Sequence, residues 1–349
     1  MNSQILKKRI KQIRGLLSLK NIDSVIVTIP ANVTYTTGFS GDDSWAVVTT
    51  KAVYLVTDSR YTEQALAECQ NCKIIERTAP IAQTAATLIK KLKSVETIAV
   101  EDTTSFAEYK NIKKNIKSRL KTTSRLIESV RTCKDKSEIA AIKKAAQIAK
   151  QALANSRRYI KPGITENQLA GILNLQIRKL DAKNSFETIV AFGPNASRVH
   201  HQPTNRKLKT NDAILIDWGV KYKGYCCDLT RCFTIGKASN FYKKVHNAVK
   251  QAQLAAIKMI KDGIDIQKVD SAARKVIAEN NLPVYGHGTG HGIGLEYHES
   301  PTLAKKIKGK LQAGQVITIE PGVYIPGKLG VRIEDDILVT KTGFKILTR

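Results

Sequence analysis

No apolar run in this chain of 349 residues approaches the ~20 residues that a bilayer-spanning helix needs, so a membrane protein is not expected. A secretory signal is not expected either. Met1-Asn2-Ser3-Gln4-Ile5-Leu6-Lys7-Lys8 turns basic straight after its first apolar pair, with no apolar core and no small-residue cleavage site. Cysteine is scarce, at six residues. Cys69 and Cys72 form a C-x-x-C pair, but no second Cys or His pair follows at zinc-site spacing. Cys226 and Cys227, adjacent on an expected strand, point to opposite faces. Reduced thiols in a cytoplasmic protein are the expectation. Carboxylates are also few, 30 against 57 Lys and Arg, which leaves a formal charge of +27. Such a field can attract nucleic acid or anionic surfaces. The lysines are scattered along the whole chain, however, with no block of like charge and no RNA-stacking aromatic motif. A solvated basic surface accounts for the charge, and a nucleic-acid partner is not expected.

What is present is ordinary for a globular protein: 42% hydrophobic and 25% charged residues, in a chain long enough for about two domains. Near the start, Ile5, Leu6, Ile10, Ile13, Leu16 and Leu17 recur at helical spacing with Lys and Arg between them, predicting a first helix packed on its own domain. Ser24–Thr28, Ala46–Thr50, Ala52–Val56 and Thr97–Val100 read as strands, with a helix over Ile81–Leu92 between them. That mixture predicts an α/β domain over 1–125, followed by a polar, aperiodic junction over 126–136 and a second domain over 137–349. Ser137 is placed to cap a long Ala- and Lys-rich helix running toward Tyr159.

The second domain carries an internal repeat. Ile160-Lys161-Pro162-Gly163-Ile164 recurs as Ile260-Lys261-Asp262-Gly263-Ile264, each copy lying between two helices. Thr165 and Gln168 fit a capping box for the helix after the first copy, and Asp265 caps its counterpart after the second, with Val269 and Ala273 facing inward. Strands follow each helix pair. The expected architecture is α+β and pseudo-symmetric, two helix pairs backing a shared sheet with a cleft between related halves.

Five of the six histidines (His200, His201, His287, His291 and His298) fall in the glycine- and turn-rich parts of this second domain, while His246 sits in mid-helix and reads as structural. The acids sharpen the pattern. Ala213–Asp217 is an apolar strand ending in a carboxylate, and its partner Tyr225–Phe233 carries Asp228, placed roughly opposite Asp217 across an antiparallel pair. The construction recurs in Val316–Glu320 and Gly330–Glu334, joined through Pro326-Gly327, with Glu320 opposite Glu334. Two carboxylates so placed on apolar strands repel unless a cation lies between them. Four carboxylates (Asp217, Asp228, Glu320, Glu334) and His291 suffice for two divalent ions if some carboxylates bridge. Two ions ~3.5–4 Å apart can hold a hydroxide and stabilise the tetrahedral intermediate of a hydrolysis. Glu320 is the candidate proton shuttle and His298 the candidate partner of the developing oxyanion, with His200 facing the substrate from the opposite side.

The run from Asp217 through Asp228, then His287-Gly288-Thr289-Gly290-His291-Gly292-Ile293-Gly294, Ile319-Glu320-Pro321-Gly322 and Val331-Arg332-Ile333-Glu334-Asp335, resembles the creatinase/methionine-aminopeptidase superfamily. Within it the chain looks most like Xaa-Pro aminopeptidases and Xaa-Pro dipeptidases (prolidases). The resemblance covers nearly the whole chain. It implies a pita-bread catalytic domain behind a smaller α/β creatinase-type N-terminal domain, which Asn32–Gly41 resembles. It implies an Xaa-Pro aminopeptidase, with a dipeptide-restricted prolidase as the alternative and a non-catalytic nucleic-acid- or protein-binding member of the fold as the remote one. By position, Asp217 chelates one metal, Asp228 and Glu334 bridge both, and His291 and Glu320 complete the second. His200, His287, His298 and Arg332 match positions that surround the substrate or support the metals. Manganese is the metal implied, with cobalt or zinc as alternatives, together with a homodimer and substrates carrying proline in second place. Two departures stand out. Arg198-Val199-His200-His201 replaces the usual Leu-Pro-His, which leaves open which histidine acts, and Trp218 is bulkier than the common Phe or Leu and could alter the pocket.

Overall fold

The computed structural model describes residues 3–92 and 95–349, which divide into two compact units, one ending at Arg131 and the other running from Thr132 to Arg349. In the first unit, strands β1 (Ser24–Val27), β2 (Trp45–Thr49), β3 (Val53–Thr57), β4 (Lys73–Glu76), β5 (Thr97–Glu101) and β6 (Arg119–Thr123) form one sheet in the order β4-β3-β2-β1-β5-β6. Strands β1, β2, β3 and β5 are β-branched and almost wholly buried, as strands covered on both faces must be. The edge strands β4 and β6 carry Lys, Glu and Arg among few apolar residues. That weak alternation is why sequence periodicity passes them over. Helices α1 (Ser3–Leu19), α2 (Pro30–Thr37), α3 (Thr62–Glu68), α4 (Ile81–Lys91), α5 (Phe106–Asn115) and α6 (Leu126–Arg131) complete the unit. The apolar stripe of α1 is buried at Leu6, Ile10, Ile13 and Leu17, as its spacing predicts.

In the second unit the long helix α7 (Lys136–Ser156) starts two residues earlier than Ser137 suggests. Asp135 is its N-cap, accepting from the amides of Ser137 and Glu138, while Glu138 closes a capping box. With α6 helical, the irregular stretch between the two helices is only residues 132–135. Helix α8 (Glu166–Arg178) opens with the expected box between Thr165 and Gln168. Then come β7 (Lys183–Asn184), β8 (Ile189–Phe192), β9 (Ala213–Trp218), β10 (Val220–Tyr222), β11 (Tyr225–Cys226) and β12 (Leu229–Thr234). A second helix pair, α9 (Asn240–Met259) and α10 (Ile266–Glu279), precedes β13 (Gly290–Gly292), β14 (Glu299–Leu303), β15 (Val316–Ile319), β16 (Gly322–Ile325), β17 (Leu329–Arg332), β18 (Asp335–Val339) and β19 (Phe344–Ile346). Asp265 stands at the N-cap of α10 but makes no side-chain capping bond there.

The repeat seen in sequence extends to single hydrogen bonds. Gly163 and Gly263 both adopt positive φ, 97° and 77°. The amide of Gly163 donates to the carbonyl of Leu208, whose amide returns to Ile164; Gly263, Leu311 and Ile264 do the same. Each half then builds its own core. Helices α7 and α8 pack Ala149, Ala152, Leu169 and Leu173 with Ile214 and Ile216, whereas α9 and α10 pack Val249, Ala252, Val269 and Ala273 with Ile317 and Ile337. The strands do not form the single shared sheet expected. They form separate ladders, chiefly β12-β9-β8 and β14-β13-β15-β18-β19, with the hairpin β16-β17 as a sheet of its own. The ladders stop at Cys227-Asp228, Glu320-Pro321 and Ile333-Glu334. Three of the candidate ligands therefore sit in breaks, where the backbone can aim a side chain inward.

Candidate metal centre

The strand register revises one of the two expected acid pairings and keeps the other. In the β9–β12 ladder, Asp217 lies opposite Thr230, and Asp228 falls two residues before that pairing, outside the ladder. The chain turns at Lys223-Gly224, where both residues have positive φ, 48° and 86°, and β10 and β11 pair directly across it. The register is continuous from Tyr222 opposite Tyr225 to Asp217 opposite Thr230, and an Asp217–Asp228 pairing would need the turn one residue earlier in the chain. In the other pair Ile319 lies opposite Asp335, which puts Glu320 and Glu334 at the next step, where the ladder opens. The hairpin around Pro326-Gly327 keeps the same register, Gly322 opposite Arg332, so Glu320 and Glu334 face each other between two in-register ladders, as the sequence predicts.

Asp228, His291 and Glu334 converge, each offering a ligand atom within 4.8 Å of the other two. Glu320 joins through His291, whose Nε2 lies 3.6 Å from Glu320 Oε1 and 3.8 Å from Asp228 Oδ2. His291 Nδ1 is 3.0 Å from the carbonyl of Gly292. A carbonyl only accepts, so Nδ1 carries the proton and Nε2 presents a lone pair to the acids. Burial, then the neighbouring His298, holds the His291 pKa down to about 3, keeping the imidazole neutral.

Asp217 is not one of the three converging residues. Its Oδ2 is 2.5 Å from Nη2 of the buried Arg332, whose Nη1 donates to Tyr324 Oη at 2.9 Å and whose Nε donates to Thr230 Oγ1 at 3.1 Å. Thr230 in turn donates to Glu334 Oε2 at 2.6 Å. Tyr324 Oη meets His287 Nε2 at 3.0 Å, while His287 Nδ1 donates to the carbonyl of Gly288. Arg332, Tyr324, Thr230 and His287 thus knit Asp217 and Glu334 into one network. The rings of His291 and His298 lie 3.9 Å apart. Tyr297 packs between His298 and Phe186, with ring centroids at 5.0 and 5.5 Å.

Among the described residues, Arg332 is the cation paired with these buried acids, through Asp217. Burial, then the charges of Glu334, Asp217, Asp336 and Glu320, pushes the Asp228 carboxyl well above the usual range. Glu334 is raised in the same way by burial and by Glu320 and Asp217. Burial drives Glu320 up to about 8. Asp217 Oδ1 and Asp228 Oδ1 are buried without a hydrogen-bond partner among the described residues. Converging carboxylates with orphaned oxygens, beside an imidazole whose lone pair faces them, fit divalent cations with oxygen and nitrogen ligands.

Both halves contribute supports that the sequence did not single out. In the second half the buried Asp270 of α10 accepts from Arg274 Nε and Thr289 Oγ1, each at 2.7 Å. Arg274 then donates to the carbonyls of Tyr285 and His287. In the first half the buried Glu166 accepts His201 Nε2 at 2.9 Å. The only sequence sign of either acid is a carboxylate near the start of a helix whose inner face is otherwise apolar. Trp218 does not reach the pocket. It is buried on the opposite side of β9 from Asp217, its Nε1 donating to the carbonyl of Ala149 on α7 at 3.1 Å.

The model of the creatinase/prolidase N-terminal domain matches residues 9–133, and that of metallopeptidase family M24 matches residues 140–341. The chain is 34% identical over 346 residues to the uncharacterised peptidase YqhT of Bacillus subtilis, covering 97% of each. Among solved structures it resembles the Xaa-Pro dipeptidase of Bacillus anthracis, with a TM-score of 0.95, 35% identity and 99% and 98% of the two chains covered. It also resembles the X-Pro aminopeptidase of Thermotoga maritima, with a TM-score of 0.89, 33% identity and 96% and 97% covered. A third likeness is to the prolidase of Pyrococcus horikoshii, with a TM-score of 0.90, 29% identity and 98% of each chain covered.

Proposed function

The chain belongs to metallopeptidase family M24, and from that membership we propose that it is an exopeptidase cleaving between an N-terminal residue and a following proline, with Asp217, Asp228, His291, Glu320 and Glu334 holding two manganese ions. The observation that carries the metal assignment is the cluster of Asp228, His291 and Glu334, with buried oxygens of Asp217 and Asp228 left unpartnered beside it. When bound, two divalent cations supply Lewis acidity toward water and toward the scissile carbonyl.

The chain's own residues perform the remaining steps. Glu320, whose Oε1 lies 3.6 Å from His291 Nε2, can take a proton from the attacking water and return it to the leaving amine. His298, its ring tilted against that of His291, is set to donate to the carbonyl oxygen as negative charge builds there. Arg332 fixes Asp217 and Tyr324, and Tyr324 fixes His287, so the substrate-facing side of the site is braced before substrate arrives. The remaining readings are a homodimer and a cytoplasmic location. The free cysteines agree with a reducing compartment, and no described helix is long and apolar enough to cross a membrane.

We take the aminopeptidase as the first reading and the dipeptidase as the second. The second is favoured by the likeness to the Bacillus anthracis Xaa-Pro dipeptidase and the Pyrococcus horikoshii prolidase. The experiment is hydrolysis by the manganese-loaded protein of an Xaa-Pro dipeptide and of an Xaa-Pro-Yaa-Zaa tetrapeptide with the same first residue. Cleavage of both supports the aminopeptidase, and cleavage of the dipeptide alone supports the prolidase. No release from either, with metal demonstrably bound, rejects the proline-directed reading altogether.

A further inference from the structure

Glu166 is the first residue of α8, is fully buried, and is not part of the metal cluster. Its two carboxylate oxygens accept five hydrogen bonds from a single stretch of chain. Oε1 takes the amide of Phe192 at 2.8 Å and Nδ2 of Asn195 at 2.9 Å. Oε2 takes His201 Nε2 at 2.9 Å, the amide of Thr204 at 3.0 Å and Thr204 Oγ1 at 2.6 Å. Between Phe192 and Thr204 the backbone has one short 3-10 turn (Gly193–Ser197) and no strand. The carboxylate therefore supplies the order that a ladder supplies elsewhere. A buried acid costs several kcal/mol unless its lone pairs are filled, and here they are filled by groups on both sides of His200.

The same stretch is held from the metal side. Arg332 Nη1 lies 3.4 Å from the carbonyl of Val199, and the Cβ missing from Gly330 would overlap the carbonyl of Ala196, so β17 presses directly on the segment. Residues 199 and 201 are thus each tied to a buried charge, and His200 between them is left to project. His201 is committed to Glu166 and largely buried, whereas His200 is exposed and contributes to the electrostatics at His287 and His298. The choice between the two histidines follows: His201 anchors and His200 faces the site.

We propose that Glu166 is a positioning residue that acts through His201 to hold His200 against the substrate. The proposal rests on the peptidase reading above. The second half is built alike, its buried Asp270 holding Arg274 onto the carbonyl of His287, so each half of the repeat uses one buried acid on its inner helix to hold its own histidine segment.

The test is a double-mutant cycle on the full-length, manganese-loaded protein, with Glu166→Gln and His200→Ala made singly and together and kcat and KM measured on an Xaa-Pro peptide. Metal content and thermal midpoint are read on every variant. Glu166→Gln should lower kcat/KM about tenfold in the parent protein and less than about twofold in the His200→Ala background, with metal content unchanged. Equal losses in the two backgrounds would mean that Glu166 acts only on stability, and would overturn the proposal. Loss of bound metal in Glu166→Gln would overturn it too. If Glu166→Gln does not fold, Thr204→Val removes one of the five bonds and enters the same cycle. A parent protein that turns over no Xaa-Pro peptide defeats the functional reading instead, whereas an active parent with His200→Ala at full kcat/KM defeats only the positioning role.

Discussion

Asp228 meets Glu334 and His291 in a buried pocket, and burial together with neighbouring negative charge raises its pKa well above the usual carboxylate range. The sign of that shift makes two predictions. Asp228→Asn should abolish peptide hydrolysis in metal-loaded protein and remove at least one bound metal, measured by turnover and elemental analysis. In metal-free protein the same substitution removes a carboxyl whose ionisation the pocket opposes, and the melting midpoint should rise by ~2–4 °C, equivalent to about 1 kcal/mol for a unit of this size. An Asn variant that melts lower than its parent without metal would show the pocket to be balanced by protein groups alone. The second prediction concerns pH. Glu320 is held at about 8 in the folded chain, and a Glu in an unfolded chain titrates at roughly 4.3. Between those values the folded state binds the extra proton, so metal-free protein should lose stability as pH rises from 5 to 8. Loading with Mn²⁺ should flatten that slope, since a cation then takes the place of the proton. Calorimetry with and without chelator at four pH values decides the matter, and parallel slopes count against the metal site. Glu166 titrates with the opposite sign. Burial alone would raise its pKa, but hydrogen bonds from Thr204, His201, Phe192 and Asn195 outweigh it and hold it below the ordinary value. Its contribution is therefore present above roughly pH 4.3 and lost as the pH falls through its lowered pKa.

At the scale of elements, the site depends on how closely strands approach where the ladders break. Strand β13 carries His291 between two glycines, and neither position has room for a side chain. A Cβ at Gly290 would stand 1.9 Å from the carbonyl oxygen of Thr318 on β15, and one at Gly292 would stand 2.2 Å from that of Ser300. Gly290→Ala should push β13 away from β15 at a cost of about 1–3 kcal/mol. Because the amide of His291 donates to Thr318 Oγ1, the imidazole should move with it and metal affinity should fall. Metal titration beside thermal melting tests this; an alanine variant that binds metal as tightly as its parent would show that β13 does not set the ligand. Elements were legible in sequence where periodicity or capping is strong. The stripe of α1 and the Thr165–Gln168 box follow from local rules, and the structure has both. Register was legible in one hairpin and not in the other. Glu320 falls opposite Glu334 as the hairpin around Gly327 requires. A turn one residue later than an Asp217–Asp228 pairing needs sets Asp217 opposite Thr230, and the alternation of apolar residues does not mark that single step.

Over the whole chain a net charge of +27 contrasts with a metal centre built from acids. A basic surface draws anionic peptides toward it, and salt screens that attraction over about 10 Å at 0.1 M. For an Xaa-Pro peptide extended by two glutamates, kcat/KM should therefore fall severalfold between 20 and 500 mM NaCl. A neutral peptide of equal length should change little. Stopped-time assays at matched metal loading compare the two, and identical salt dependence would show that the charge has no part in substrate capture.

The residue types at the centre, their spacing and the twofold repeat were decided along the chain. Short-range periodicity, glycines that permit positive φ at residues 163 and 263, and multi-part motifs are all local properties. Tertiary structure decided which acids meet. Asp228, His291 and Glu334 come from three separate parts of the chain, and only the breaks in the ladders turn them toward one point. It also decided what holds them: Arg332 bridging to Asp217 across 115 residues, Glu166 reaching His201 across 35, and Trp218 turned away from the pocket into the α7 core. Contacts of that kind depend on where buried polar groups find partners once the two halves have closed on their cores. No local pattern encodes that pairing, because the same side chain satisfies its hydrogen bonds equally well wherever the fold brings a partner within reach.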